Sequence, residues 1–108
     1  MTKTAIGGAG TVGAKLLGDE TIRSSIDTIV ARVQAASAEI TDVRPPTPGL
    51  AEDYEALMQR AAAVKGRALL YPYLGSGAGN GALVELADGS VKWDMITGIG
   101  VHFLGHSH

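Results

Sequence analysis

The chain has 108 residues, room for one small domain, and its formal charge of −2 offers no basic footprint of the kind that neutralises nucleic-acid phosphates. Without cysteine it has no disulfides or thiolate metal sites, and no apolar run approaches the ~20 residues that a bilayer span requires. No cationic segment leads into an apolar core at the start, so no secretory signal is legible; a cytoplasmic protein with neither a nucleic-acid nor a membrane partner is expected.

Residues 1–18 form a Gly-rich leader in which Gly8-Ala9-Gly10-Thr11-Val12-Gly13 fits the spacing of a dinucleotide-binding loop. The spacing alone is a weak signal. The fingerprint also needs a hydrophobic strand before it and a second strand after it, with an acidic residue for the ribose. Thr4-Ala5-Ile6 is a poor strand, and Gly18 interrupts the helix that Thr11 to Leu17 would open.

Residues 19–66 read as two amphipathic helices around a Pro-rich corner at 41–49. In the first, Ile22, Ile26, Ile29, Val30, Val33, Ala36 and Ile40 recur at three- and four-residue spacing, and Asp19 and Glu20 place negative charge at the dipole's positive end. The stripe is a packing face or a coiled-coil seam. Arg44-Pro45-Pro46-Thr47-Pro48-Gly49 must break the helix, since proline lacks the amide hydrogen and biases its predecessor away from helical geometry. The second helix is expected to start with Thr47 as N-cap and Pro48 at the first helical position, with Glu52 and Asp53 in its first turn. Its stripe is Leu50, Tyr54, Leu57, Met58, Ala61 and Val64, and Gly66 stops it.

Residues 67–108 hold an extended segment, a β-hairpin and a glycine-spaced tail. Pro72 argues that Leu69 to Leu74 is unpaired or an edge, and the alternating glycines from Gly75 to Gly81 read as a flexible connection or, less specifically, a phosphate loop. Asp88-Gly89 is a strong hairpin signal. With a two-residue turn, Leu86 faces Val91 and Val84 faces Trp93 on one side of the ribbon, while Glu85 and Lys92 form an ion pair on the other. An isolated ribbon is marginal in water, so the apolar side needs a cover.

No complete catalytic constellation is visible. Asp19/Glu20 and Glu52/Asp53 sit where helix starts favour acidic residues, and the serines lack an aligned base. His102, His106 and His108 have a spacing that would hold a metal on an ordered element, but no carboxylate in their own segment orients the rings.

The order Gly79-x-Gly81, strand, Asp88-Gly89, strand, Trp93-Asp94, then Thr97-Gly98-Ile99-Gly100-Val101 and Leu104-Gly105-His106-Ser107-His108 resembles the N-terminal segment of class III aminotransferases. These are pyridoxal-phosphate enzymes of the ornithine, acetylornithine, 4-aminobutyrate and omega-amino-acid type. The resemblance covers about residues 75–108, and its motifs are moderately specific as an ordered set. It departs from the family in carrying Trp93 where Tyr is usual and the polar Lys92 beside it, and it leaves the upstream helices unplaced.

The pattern of elements reads as an α+β fold, two N-terminal helices followed by a small antiparallel hairpin or sheet, and the resemblance implies that this sheet lies within the small domain of a fold-type I enzyme. Thr97, Gly98, Ile99, Gly100 and Val101 would line the substrate pocket, with Ile99 nearest a substrate. Pyridoxal 5′-phosphate would belong to the complete enzyme, with none bound by this chain alone, because the cofactor lysine, the aspartate on the pyridine nitrogen and the phosphate cup lie later in such enzymes. Lys3, Lys15, Lys65 and Lys92 match no aldimine position, and no residue here is assigned as catalytic. The partners implied are the remainder of the enzyme, a second subunit in a homodimer, an amino donor and a 2-oxo acid. The competing reading is a non-enzymatic helix-plus-hairpin interaction module.

Overall fold

The computed structural model describes residues 10–108, so Thr4-Ala5-Ile6, Gly8 and Lys3 lie outside the described residues. The chain divides into two units, Met1–Gln34 and Ala35–His108.

In the first unit, α1 spans Val12–Leu17, with Thr11 Oγ1 accepting a bond from Ala14 N at 3.2 Å and Gly18 ending it as the sequence predicts. The longer α2, Glu20–Ser37, begins in this unit, and Asp19 Oδ1 accepts from Ile22 N at 3.1 Å in the manner of an N-cap. Ile26, Ile29, Val30 and Val33 of its stripe are exposed. The helix stops short of the apolar pattern, and Ile40 leaves it to enter the core of the second unit.

That second unit is built on a three-stranded antiparallel sheet in the order β1-β2-β3: β1 is Gly75–Asn80, β2 Leu83–Leu86 and β3 Val91–Trp93. Helices followed by an antiparallel sheet make the fold α+β, as expected. The hairpin register does not follow the expectation. Leu83 faces Trp93, Val84 faces Lys92 and Glu85 faces Val91, a slip of one residue from the two-residue-turn pairing.

The cause lies in the loop. Leu86 N donates to Ser90 O at 2.8 Å, so Ala87, Asp88 and Gly89 are all loop residues, and Gly89 takes a left-handed φ of 81°. A three-residue loop closed by a left-handed glycine is the next most common hairpin after the two-residue one. Asp88 Oδ1 accepts from Ser90 N at 2.8 Å and Ser90 Oγ at 2.6 Å, which draws the aspartate into the loop. Burial pushes the Asp88 carboxyl up, but those bonds and the charge of Lys92 outweigh it and hold it below its ordinary value.

A one-residue slip turns every side chain to the opposite face. Leu83 and Val91 therefore share the core face with Ile40, and Ala78 packs against them. Val91 and Trp93 lie on the same face of β3 in either register, and Trp93, at the end of the strand, is 58% exposed where Val91 is 1% exposed. The expected Glu85–Lys92 pair is absent because the two residues no longer face each other; Glu85 pairs instead with Arg44.

The Pro-rich corner is ordered. Arg44 N and O exchange bonds with Val91 O and N at 3.1 Å each, lengthening the sheet at its β3 edge, and Arg44 Nε donates to Gly89 O at 2.9 Å. Thr47 N donates to Asp88 O at 2.8 Å rather than capping a helix. Pro48 and Gly49, φ 90°, form the middle of a turn closed by Leu50 N donating to Thr47 O at 3.1 Å, the type II arrangement that Pro-Gly favours. Thus α3 runs Ala51–Lys65, later than the Thr47 cap predicts, and ends in a left-handed Gly66 as the sequence indicates. Tyr54 Oη accepts from Leu74 N at 3.1 Å, tying α3 to the segment entering β1.

The glycine-alternating segment is a strand, not a flexible connection. Its pairing with β2 is irregular between Gly75 and Gly79. Ser37 Oγ donates to Gly79 O at 2.5 Å and Asn80 Nδ2 to Ile40 O at 3.0 Å, which fixes it against the end of α2. Gly79 is buried so closely that an added Cβ would stand 2.4 Å from His106 Cβ and 2.7 Å from Leu83 O. Bulk, not backbone freedom, is what this position forbids.

The burial of these two residues predicts a contrast. Val91→Ala is expected to lower unfolding free energy by about 2 kcal/mol, and Trp93→Ala by less than about 1 kcal/mol, in urea melts. The reverse order would make Trp93, not Val91, the buried residue of β3.

Candidate functional site

Beyond β3 the chain makes a turn that local propensity does not favour. Thr97, Gly98, Ile99 and Gly100 have φ values of 53°, 60°, 61° and 83°, a run of left-handed backbone that includes two β-branched residues. Each such β-branched position costs of order 1–3 kcal/mol and persists only where surroundings over-determine it. The residues that the resemblance implies as pocket-lining make this left-handed turn, which begins where Asp94 captures the backbone after β3.

Asp94 is the over-determining residue. Its N donates to Ala82 O at 2.8 Å, fixing it at the end of β3. Its Oδ1 accepts from Ile96 N at 2.9 Å and from Thr97 N at 2.8 Å, and its Oδ2 lies 2.7 Å from His106 Nε2. Both partners of that last pair have side chains only 16% exposed. The amide of Ile96 foremost, then His106 and the Thr97 amide, hold the Asp94 carboxyl below its ordinary value against the opposing effect of burial.

The tail returns along the sheet. His106 N donates to Gly81 O at 2.9 Å, and Gly79 N donates to Ser107 Oγ at 3.1 Å. The rings of His102 and His106 meet at 4.4 Å with a 32° tilt. Gly98 makes room for the first of these, since a Cβ there would stand 2.5 Å from His102 Cδ2.

These elements border a half-open cavity of about 510 Å³ between the second face of the hairpin, the left-handed turn and the segment before β1. Its wall includes Tyr71, Tyr73, Lys92, Trp93, Ile99 and His102. Of the five residues expected to line a substrate pocket, Gly98 and Ile99 reach this cavity. Thr97 is instead engaged with Asp94, and Gly100 and Val101 are not part of the wall.

The histidines do not assemble a metal centre: among the described residues no cluster of three His, Cys, Asp or Glu side chains forms, and His108 does not join the other two. The carboxylate that orients His106 exists, but it comes from Asp94, twelve residues upstream, and was invisible in the local segment. Tyr71 and Tyr73 were also missed; only their alternation around Pro72 marks them in the sequence.

Lys92 stands on the cavity wall, and the Asp94 carboxylate there accepts from two amides and pairs with an imidazole. Comparison with protein-family models, with curated proteins and with solved structures finds no match.

Because the folded Asp94 carboxyl titrates below its ordinary 3.8, the stability it contributes is present in full above that value and is lost as pH falls through the lower folded value. The stability difference between the wild-type chain and Asp94→Asn is therefore expected to be constant near neutrality and to shrink below about pH 4 in acid titrations of unfolding followed by circular dichroism. A difference that grows on acidification would refute this assignment.

Proposed function

We propose that this chain is the N-terminal portion of a cytoplasmic class III, pyridoxal-phosphate-dependent aminotransferase, a homodimer that transfers an amino group between an amino acid or omega-amine and a 2-oxo acid. On this reading the sheet belongs to the small domain of a fold-type I enzyme. The cofactor-holding groups come from later residues, and the chain is inactive alone. The observation that carries the reading is the juxtaposition of the ordered motifs: the Gly79-x-Gly81 strand, the Asp88-Gly89 hairpin and the Gly105-His106-x-His108 tail pack on one another and bring Gly98 and Ile99 to a cavity wall. Strain concentrated in the Thr97–Gly100 turn fits a functional segment.

The interaction-module reading is favoured by one observation, the exposed stripe of Ile26, Ile29, Val30 and Val33 on α2. The two readings part in solution. A module is expected to melt cooperatively as an isolated monomer, whereas an enzyme portion is expected to melt broadly or to self-associate.

Read past codon 108, the frame is expected to continue with Pro and to encode a cofactor lysine far downstream; a frame without that lysine removes the aminotransferase reading. Mixed with pyridoxal phosphate, the 108-residue chain is expected to give no internal-aldimine absorbance band. Such a band would overturn the assignment of the cofactor lysine to later residues.

A further inference from the structure

The cavity beside the left-handed turn has an uneven polar chemistry. Its one wall carboxylate, Asp94, has Oδ1 shared by the Ile96 and Thr97 amides and Oδ2 paired with His106. The other acids near the hairpin are also engaged and stand off the wall: Glu85 pairs with Arg44, and buried Asp88 accepts both Ser90 bonds. The donors are in the opposite state. Among the described residues, the Tyr71 and Tyr73 hydroxyls, the Lys92 ammonium and the His102 ring, all on the wall, have no hydrogen-bond or ion-pair partner.

The rest of the wall is apolar and aromatic, with Trp93, Ile99, Val84 and Leu86. A cavity of about 510 Å³ lies within the range that encloses a small organic ligand, and such sites combine apolar walls with a few placed polar groups. Acceptors that are already engaged and donors that are free favour an anionic head group, and the rings favour a planar apolar body. An amine would meet only a carboxylate already paired with His106.

We propose that this cavity binds an aryl-substituted monocarboxylate, its carboxylate drawn by Lys92 and the tyrosine hydroxyls and its ring set among Trp93, Tyr73 and Ile99. The inference rests on the aminotransferase reading for treating the Gly98–Ile99 wall as a substrate surface, and it adds the ligand's chemical class. Lys92 acts here as a point charge for binding.

The sole tryptophan, Trp93, reports directly from the wall. Phenylacetate added to the 108-residue chain is expected to change its fluorescence saturably, while phenylethanol and phenethylamine, with the same ring and chain, bind at least about tenfold more weakly. Lys92→Met is expected to weaken phenylacetate about tenfold and leave phenylethanol unchanged, with Lys92→Arg restoring the preference. Lys92 is exposed, so both variants keep the fold, which an unchanged circular dichroism spectrum verifies.

No saturable change, equal binding of the alcohol or amine, or an undiminished preference in Lys92→Met overturns the proposal. It fails separately from the aminotransferase reading. Carboxylate binding by a chain whose frame lacks the cofactor lysine leaves this inference standing alone, and a frame with the lysine whose chain ignores phenylacetate does the opposite.

Discussion

One carboxylate organises the functional end of the second unit. Asp94 leaves β3 with its backbone bonded to Ala82 and commits both side-chain oxygens to residues further along the chain, one to the Ile96 and Thr97 amides, the other to His106. The amide bonds turn the chain into a left-handed conformation that Thr97 and Ile99 would not adopt unaided, and the imidazole bond brings the tail back onto the sheet. Without it the chain would run on past Trp93 and the wall holding Ile99 and His102 would have no reason to form. The same carboxylate that builds the cavity is thereby committed, through both oxygens, to partners within the chain.

The tail in turn depends on the absence of side chains in β1. His106 lies over Gly79 at a distance that admits no Cβ, and Gly79 also presents its carbonyl to Ser37 and its amide to Ser107. A strand of alternating glycine has little β-propensity and no side chains to pack, so its order is imposed from outside by the end of α2, by β2 and by the returning tail. What local composition marks as loose becomes the surface on which three other segments converge.

Legibility in the sequence tracks the range of the governing interaction. The class of fold, α2, the hairpin's location and the Gly66 stop were readable because each rests on neighbours within a few residues: apolar spacing, Asp-Gly, a left-handed glycine after a basic residue. The register was not, because Asp-Gly serves two- and three-residue loops alike and the choice was made by Ser90 bonding back to Asp88. That slip put Leu83 on the face that Val91 shares with Ile40 and parted Glu85 from Lys92. The start of α3 was misplaced for a similar reason: Thr47 satisfies Asp88 across the hairpin, an obligation that no local cap rule contains. The site was only partly legible. Gly98 and Ile99 were named, but Asp94 pairs with a histidine twelve positions on and Tyr73 reaches the cavity from before β1, separations that periodicity does not register.

The distribution of apolar surface bears on how much body the second unit has. Its buried hydrophobic residues among those described are Ile40, Leu83, Leu86 and Val91, a small set against the entropy of ordering the chain. Around the left-handed turn, Met95 is 87% exposed and Phe103 78%, with Ile96, Ile99, Val101 and Leu104 also exposed. Scattered surface hydrophobes need no explanation, but six within ten residues, held by a strained turn rather than frayed, form a surface whose burial would add far more than its ordering has cost. A substrate alone would cover only the part facing the cavity. The remainder suits a protein neighbour.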